Sequence, residues 1–242
     1  MRGTGVNGVT LRDRAAFLES ARTLVVADVH VGRDEASAVA FPLGEREDLR
    51  ERLDALLAHF DPETVVFAGD VVHTFDGVSE RSRASLADLA AACRAAGAEL
   101  VLVAGNHDTA LSAAWDGPIH DEYVVEGSST AARSRTVVCH GHEPPSAVAG
   151  RYLVGHVHPT VQIEGDRHPC FLYGEGTFRD ADVLLLPAFN RLAPGVVIND
   201  LSADEFDSPF VDDPDRLCPL VYDSATQETL TFPPLGEFRH RL

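Results

Sequence analysis

Lysine is missing from this chain altogether: all 20 basic residues are arginine, set against 38 acidic residues, for a net charge of −18. An acidic, lysine-free composition fits a halophilic cytoplasm, where surface carboxylates keep a chain soluble. A GC-rich genome that replaces Lys by Arg would explain the missing lysine but not the excess of acid. The charge argues against a protein that tracks along duplex nucleic acid, since nonspecific affinity for phosphates comes mostly from Lys and Arg. It leaves a phosphate-bearing substrate open, because in molar salt the Debye length is only ~3 Å and metal ions in a site can hold an anion.

Cysteine is also scarce. Cys93, Cys139, Cys170 and Cys218 are widely separated and form no C-x-x-C pair, which reads as buried thiols in a reducing cytosol and not as a disulfide or zinc framework. Long apolar runs are absent too. No stretch approaches the ~20 residues that span a bilayer, and Met1 to Arg14 lacks the apolar h-region of a secretory leader. The expectation is a cytoplasmic protein with no membrane partner. With 242 residues, 45% of them hydrophobic, the chain is expected to form one α/β domain over 1–242.

What the sequence does contain is one construction used five times: an apolar run that ends in Asp, Asn or His. Leu100 to Ala104 runs into Gly105, Asn106, His107 and Asp108. Thr23 to Ala27 runs into Asp28, Val29 and His30, and Thr64 to Ala68 into Gly69 and Asp70. Thr136 to Cys139 leads to His140, Gly141 and His142; Tyr152 to Val154 leads to Gly155, His156, Val157 and His158. Runs of this length and β-branched content predict strands buried on both faces. In open α/β sheets ligands bind outside the carboxyl ends of the strands, so the five tips are expected to converge.

Between the tips, leucines at helical spacing predict a helix over Glu45 to Phe60, ended by Asp61-Pro62. A second helix is expected near Ser79 to Ala96, with Leu86, Leu89, Ala90 and Cys93 inward and Gly97 as its stop. Short strands are predicted near Gly8 to Leu11 and at Glu122 to Glu126, and Pro42 with Gly44 marks an irregular connection. Beyond the last tip an all-β part is expected over 170–242, with strands at Phe171 to Gly174 and Val183 to Leu186 and a hairpin of Leu220 to Tyr222 with Thr229 to Phe232. The acidic loop Asp200 to Asp215 reads equally as contact surface or solvated coil.

Asp28, His30, Asp70, Asn106, His140, His156 and His158 are nitrogen and oxygen donors without sulfur, a set that suits Mn²⁺, Fe or Zn²⁺ better than Ca²⁺. Seven donors exceed the needs of one ion and suit two that share a bridge. Two metals roughly 3.5 to 4 Å apart activate water and clamp both oxygens of an in-line phosphoryl displacement. Asp70, the sole carboxylate at its tip, is the expected bridge. His107 is the expected proton donor to the leaving group, with Asp108 orienting its imidazole.

In their order, Asp28-x-His30, Gly69-Asp70, Gly105-Asn106-His107-Asp108, His140-Gly141-His142 and Gly155-His156-x-His158 resemble the calcineurin-like metallophosphoesterase superfamily over residues 24–158. The resemblance implies a four-layer sandwich, two central mixed β-sheets flanked by helices. It also implies a first metal on Asp28, His30, Asp70 and His158, a second on Asp70, Asn106, His140 and His156, and His107 as proton donor near the substrate. Mn²⁺ is the favoured ion, with Fe, Zn²⁺ or Mg²⁺ as alternatives. Gly69-Asp70-Val71-Val72-His73, His140-Gly141-His142-Glu143-Pro144 and Leu186-Pro187-Ala188-Phe189-Asn190 resemble more narrowly the small archaeal and bacterial phosphoesterases of the DNA-ligase-associated type, here from a haloarchaeon-like source.

The superfamily's commoner second motif is Gly-Asp-x-x-Asp; His73 replaces its last residue, either as a group that steadies a ligand or as a polar loop residue. His142 is expected to pack or hydrogen-bond near the ligand His140. His59, His120, His168 and His240 have no place in the motif order. Arg33, Arg151 and Arg191 are the arginines near tips or patterned segments that could grip a phosphate. The implied activity is a phosphodiesterase acting on a nucleotide, cyclic nucleotide or short nucleic acid, with DNA-repair or RNA-processing proteins as partners. The rivals are a phosphomonoesterase or protein phosphatase, and a non-catalytic scaffold of the same fold.

Overall fold

The computed structural model describes residues 6–36, 44–73, 77–127 and 131–239. Strands β1 (Val9–Arg12) and β2 (Ala15–Leu18) form a hairpin that lies antiparallel against β3 (Thr23–Ala27). The chain then passes through α1 (Glu45–Phe60) to β4 (Thr64–Ala68), and through α2 (Glu80–Ala95) to β5 (Glu99–Val103). A short β6 (Ile119–His120) completes a sheet ordered β1-β2-β3-β4-β5-β6. The predicted first strand is there, one residue along; its partner β2 was not anticipated. Ala15 to Leu18 is buried throughout and so shows no alternation to read.

Both long helices occupy their predicted spans. Glu45, Glu47 and Asp48 in the first turn of α1 complement the helix dipole. Leu49, Leu53, Leu56 and Leu57 are its buried face. At the start of α2, the Ser79 hydroxyl accepts from the Ser82 N–H at 2.9 Å, an N-cap that satisfies an otherwise orphaned donor. Pro42 and the connection around it lie outside the described residues, as does His240.

The second sheet begins with β7 (Glu122–Val125), β8 (Thr136–Cys139) and β9 (Arg151–Val154). A ribbon of β10 (Pro159–Ile163) and β11 (Asp166–Pro169) leads into β12 (Phe171–Phe178) and β13 (Ala181–Leu185). After β14 (Val196–Val197), which joins the ribbon in a three-stranded sheet, come β15 (Cys218–Asp223), β16 (Glu228–Thr231) and a single turn, α3 (Leu235–Phe238). The large sheet runs β16-β15-β12-β13-β9-β8-β7. The β-rich tail was expected, but β13 returns parallel to β9 and β8 and so becomes part of the central frame.

Alternation along the strands builds the layers. Leu24, Val26, Val65, Phe67 and Leu102 face α1 and α2. Val25, Ala27, Val66, Ala68, Val101 and Val103 point the other way and meet Val138, Leu153, Phe171 and Leu184 of the second sheet, forming the core between the two sheets. The outer face of the second sheet packs Tyr152, Val154, Leu172 and Val183 against Ile198, Phe206, Phe210 and Leu217. Coil, 3-10 turns and α3 thus cover this face, where α1 and α2 cover the first sheet. Phe206 and Phe210 belong to the acidic loop, so that loop is pinned to the core by two buried rings.

Candidate metal centre

Register brings the tips together. In the first sheet Ala27, Ala68 and Val103 are paired across β3, β4 and β5, so Asp28, Gly69-Asp70 and Gly105-Asn106 leave the strands at one level. In the second, Cys139, Val154 and Leu185 are paired, which levels His140, Gly155-His156 and a sixth tip at Leu186 to Asn190. The two sets are joined by the Phe189 N–H donating to the Ala27 carbonyl at 2.7 Å and by His156 N–H donating to Asp28 Oδ2 at 3.0 Å.

The turns are tight enough to force unusual backbone. Asp28, His30, Asp70, His156 and His158 all have left-handed φ, at 55°, 44°, 44°, 69° and 50°, which costs an L residue about 1–2 kcal/mol each. Such strain concentrates at functional sites. Crowding explains the adjoining glycines: a Cβ on Gly69 would lie 2.2 Å from His140 Nδ1, and one on Gly105 2.2 Å from Asp70 Oδ1.

All seven expected donors converge, in two halves around Asp70. On one side His30 Nε2 lies 3.6 Å from Asp70 Oδ2, and His158 Nε2 lies 3.2 Å from Asp28 Oδ1. On the other, His140 Nε2 is 2.8 Å from Asn106 Oδ1, 3.1 Å from His156 Nδ1 and 3.5 Å from Asp70 Oδ1. The donor set fits divalent cations. Both ring nitrogens of His30 and Nδ1 of His140 are buried without a hydrogen-bond partner among the described residues, an arrangement that is costly unless something else meets them.

The electrostatics agree. Burial pushes Asp70 up, and neighbouring Asp28 pushes it further, to about 7. Burial acts the same way on Asp28, but the imidazoles of His158, His140 and His30 outweigh it and hold the carboxyl down to about 2. Burial lowers His30 and His140 to about 3, so both rings are neutral and offer lone pairs. His156 and His73 are lowered by burial as well. Against its burial, His158 is raised by Asp28. Asp28 and Asp70 are thus buried beside neutral His30 and His140, and a bound cation would reverse the local pKa logic.

His107 stands at the rim, half-buried, its Nε2 3.8 Å from Asp70 Oδ2 and its ring edge-on to His30. The expected role of Asp108 moves elsewhere. Its carboxylate accepts from the backbone N–H groups of Gly105, Val71 and Val72 at 2.8, 3.1 and 2.9 Å, tying the Asn106 tip to the Asp70 tip. The His107 Nδ1 instead faces the His73 carbonyl at 3.4 Å. His73 turns its ring toward the cluster, 5.3 Å from that of His30. His142 packs 5.2 Å from the His140 ring, as expected of it. Of the three arginines, Arg151 is at the start of β9, the far end of the strand, and Arg191 pairs with Asp48. Arg33 alone reaches the cluster, 3.4 Å from His73 Nδ1.

Sequence reading missed the floor of the site. Buried Asn190 donates to the carbonyls of Val29 and His30 at 3.0 and 3.1 Å and to Glu45 Oε1 at 2.7 Å. Glu45 accepts in turn from Gly32 N–H and Arg33 N–H. The signal was the segment Leu186 to Asn190, a polar residue following an apolar run like the other tips. Asp207, from the acidic loop, was also missed; its Oδ2 lies 3.7 Å from His156 Nε2.

This geometry has a counterpart in sequence comparison: residues 21–179 match the description of calcineurin-like phosphoesterases. The chain belongs to that family. It is a metal-dependent phosphoesterase with the metallophosphoesterase fold. Among solved structures, this phosphoesterase is similar to the nuclease MPE of Pseudomonas putida, with 30% identity, a TM-score of 0.58, and coverage of 88% of this chain and 91% of that one. Yfce, a phosphoesterase from E. coli, aligns at 15% identity and a TM-score of 0.43 over 88% of this chain and 98% of that one. No curated protein matches the sequence. Among the described residues no helix of the phosphoesterase is long and apolar enough to cross a membrane.

Proposed function

We propose that the phosphoesterase hydrolyses phosphodiesters in nucleotides or short nucleic acids, using two divalent cations held on either side of Asp70. The observation that carries this reading is the pair of half-sites sharing one carboxylate, with buried imidazole nitrogens that no described residue satisfies. The likeness to a nuclease over 88% of the chain favours a diester over a monoester.

Asp28, His30, Asp70 and His158 would hold one cation, and Asp70, Asn106, His140 and His156 the other. Bound there, the pair supplies the Lewis acidity that makes water a nucleophile at neutral pH and offsets charge on the phosphoryl oxygens. The chain's own part is orientation and proton supply. The Gly105 to Asp108 turn holds His107 over the cluster through its N–H bond to Asp70 Oδ1 at 3.0 Å. With Nδ1 turned to the His73 carbonyl, His107 presents Nε2 inward, where a proton can pass to the leaving oxygen.

The test is hydrolysis of bis-nitrophenyl phosphate against nitrophenyl phosphate in molar KCl, with Mn²⁺ added and after chelation. Chelator-sensitive diesterase activity in excess of monoesterase is the expected result. Preference for the monoester would convert the enzyme to a phosphatase, and inactivity on both with two metals bound would reduce it to a scaffold.

A further inference from the structure

Among the described residues Arg33 is an arginine without an acid. In a chain with 38 acidic residues and 20 arginines, Arg46, Arg50, Arg52, Arg81 and Arg191 all pair with carboxylates. No described carboxylate lies within ion-pair distance of Arg33. The residue is half-buried and held at both ends instead: its backbone N–H donates to Glu45 Oε1 at 3.0 Å, and the guanidinium Nε donates to the Leu192 carbonyl at 2.9 Å. Among the described residues, the Nη1, Nη2 edge meets only His73, at the lip of the cluster. A cation fixed in place before its anion arrives loses little freedom on binding.

His73 completes the pair. Guanidinium has only donors, so in the Arg33 contact His73 Nδ1 is the acceptor, and the neutral ring carries its proton on Nε2. The side chain that replaces the family's usual aspartate is therefore a hydrogen-bond donor and carries no negative charge. Although His30, His73 and His107 lie close enough together to suggest a third metal, the adjoining guanidinium would repel a cation there and attract an anion. The opposite flank has the reverse character: a cavity of about 430 Å³ beside His140 is lined by Asp121, Glu122 and Glu143.

We propose that Arg33 and His73 form a subsite for a second phosphate, flanking the one that is cleaved, so that the preferred substrate is a phosphodiester bearing an additional phosphate. The inference rests on the diesterase reading for its biological meaning but not for its test. Binding of a nucleoside bisphosphate and of the matching monophosphate to the metal-loaded protein would be measured by calorimetry at one fixed salt concentration. The wild type is expected to bind the bisphosphate at least ~10-fold more tightly, the usual scale of one charge-assisted contact. Arg33→Gln should erase that preference and Arg33→Lys should keep part of it, which also guards against a variant that fails to fold. A wild type with no preference, or an Arg33→Gln protein that loses both ligands equally, would overturn the subsite. A preserved bisphosphate preference in a protein that cleaves neither nitrophenyl ester would support the subsite while removing the diesterase reading.

Discussion

Asn190 donates its side-chain amide to the Glu45 carboxylate at 2.7 Å, beneath the turn that carries Asp28 and His30. The bond joins the segment after β13 to the start of α1, and with the bonds to the Val29 and His30 carbonyls it ties that segment to the first sheet's tip at the floor of the metal centre. Burial raises the Glu45 carboxyl against the opposing effect of its hydrogen bonds, which leaves the group dependent on its donors. Asn190→Leu keeps the approximate volume and removes the donor. It should destabilise the metal-free protein by about 1–3 kcal/mol, the cost of a buried group left unsatisfied, and weaken metal binding. Urea unfolding and metal titration read the two effects; an unchanged midpoint would show the bond to be idle.

Asp70 has the strongest claim to be shared between two ions. Asp70→Asn removes the charge while retaining the shape, and metal analysis after gel filtration should find fewer than two ions per chain. Two ions retained with full activity would exclude the bridge.

His107→Ala should leave the metal content near that of the wild type and reduce turnover on an unactivated diester by ~10² to 10⁴. Nitrophenolate leaves without help, so the loss there should be smaller. Equal losses on both substrates would mean that His107 acts by some means other than proton donation.

Acid should weaken the metal-free protein. The ordinary imidazole value is 6.5, yet His30 and His140 are held at about 3 in the folded state. As pH falls below 6.5 the unfolded chain takes up protons that the folded one refuses, so stability drops. Asp70 works in the opposite direction: raised from 3.8 to about 7, it keeps a proton that the unfolded chain has already released. His156 and His73 are shifted the same way as the two imidazoles, while His158, Glu45 and Asp108 are raised and act with Asp70; His30 and His140, displaced furthest, set the sign. The urea midpoint after chelation should therefore be lower at about pH 5 than at about pH 7, and loading with metal should narrow the difference. A midpoint that rises on acidification would contradict these shifts.

The five strands that carry the tips, the two long helices and the gathering of seven Asp, Asn and His side chains could be read from sequence because each depends on local pattern. A fully buried parallel strand is a continuous apolar run, and its polar terminus marks the tip. What stayed hidden depends on partners far along the chain. Asp108 follows His107 directly, yet its carboxylate is taken by backbone N–H groups 36 and 37 residues away. Asn190 reaches Glu45 across 145 residues. The left-handed φ values were likewise illegible, since Asp and His carry no glycine-like signal for them; only the adjoining Gly69, Gly105 and Gly155 hinted at how closely the tips crowd.

The division of donors between two sheets has a consequence for biosynthesis. A growing chain exposes Asp28, His30, Asp70 and Asn106 first, and these sit on one sheet; His140, His156 and His158 emerge much later, on the other. Each of the two proposed half-sites includes a histidine from the later group. A chain with this layout brings its full set of donors together only when synthesis has passed both sheets.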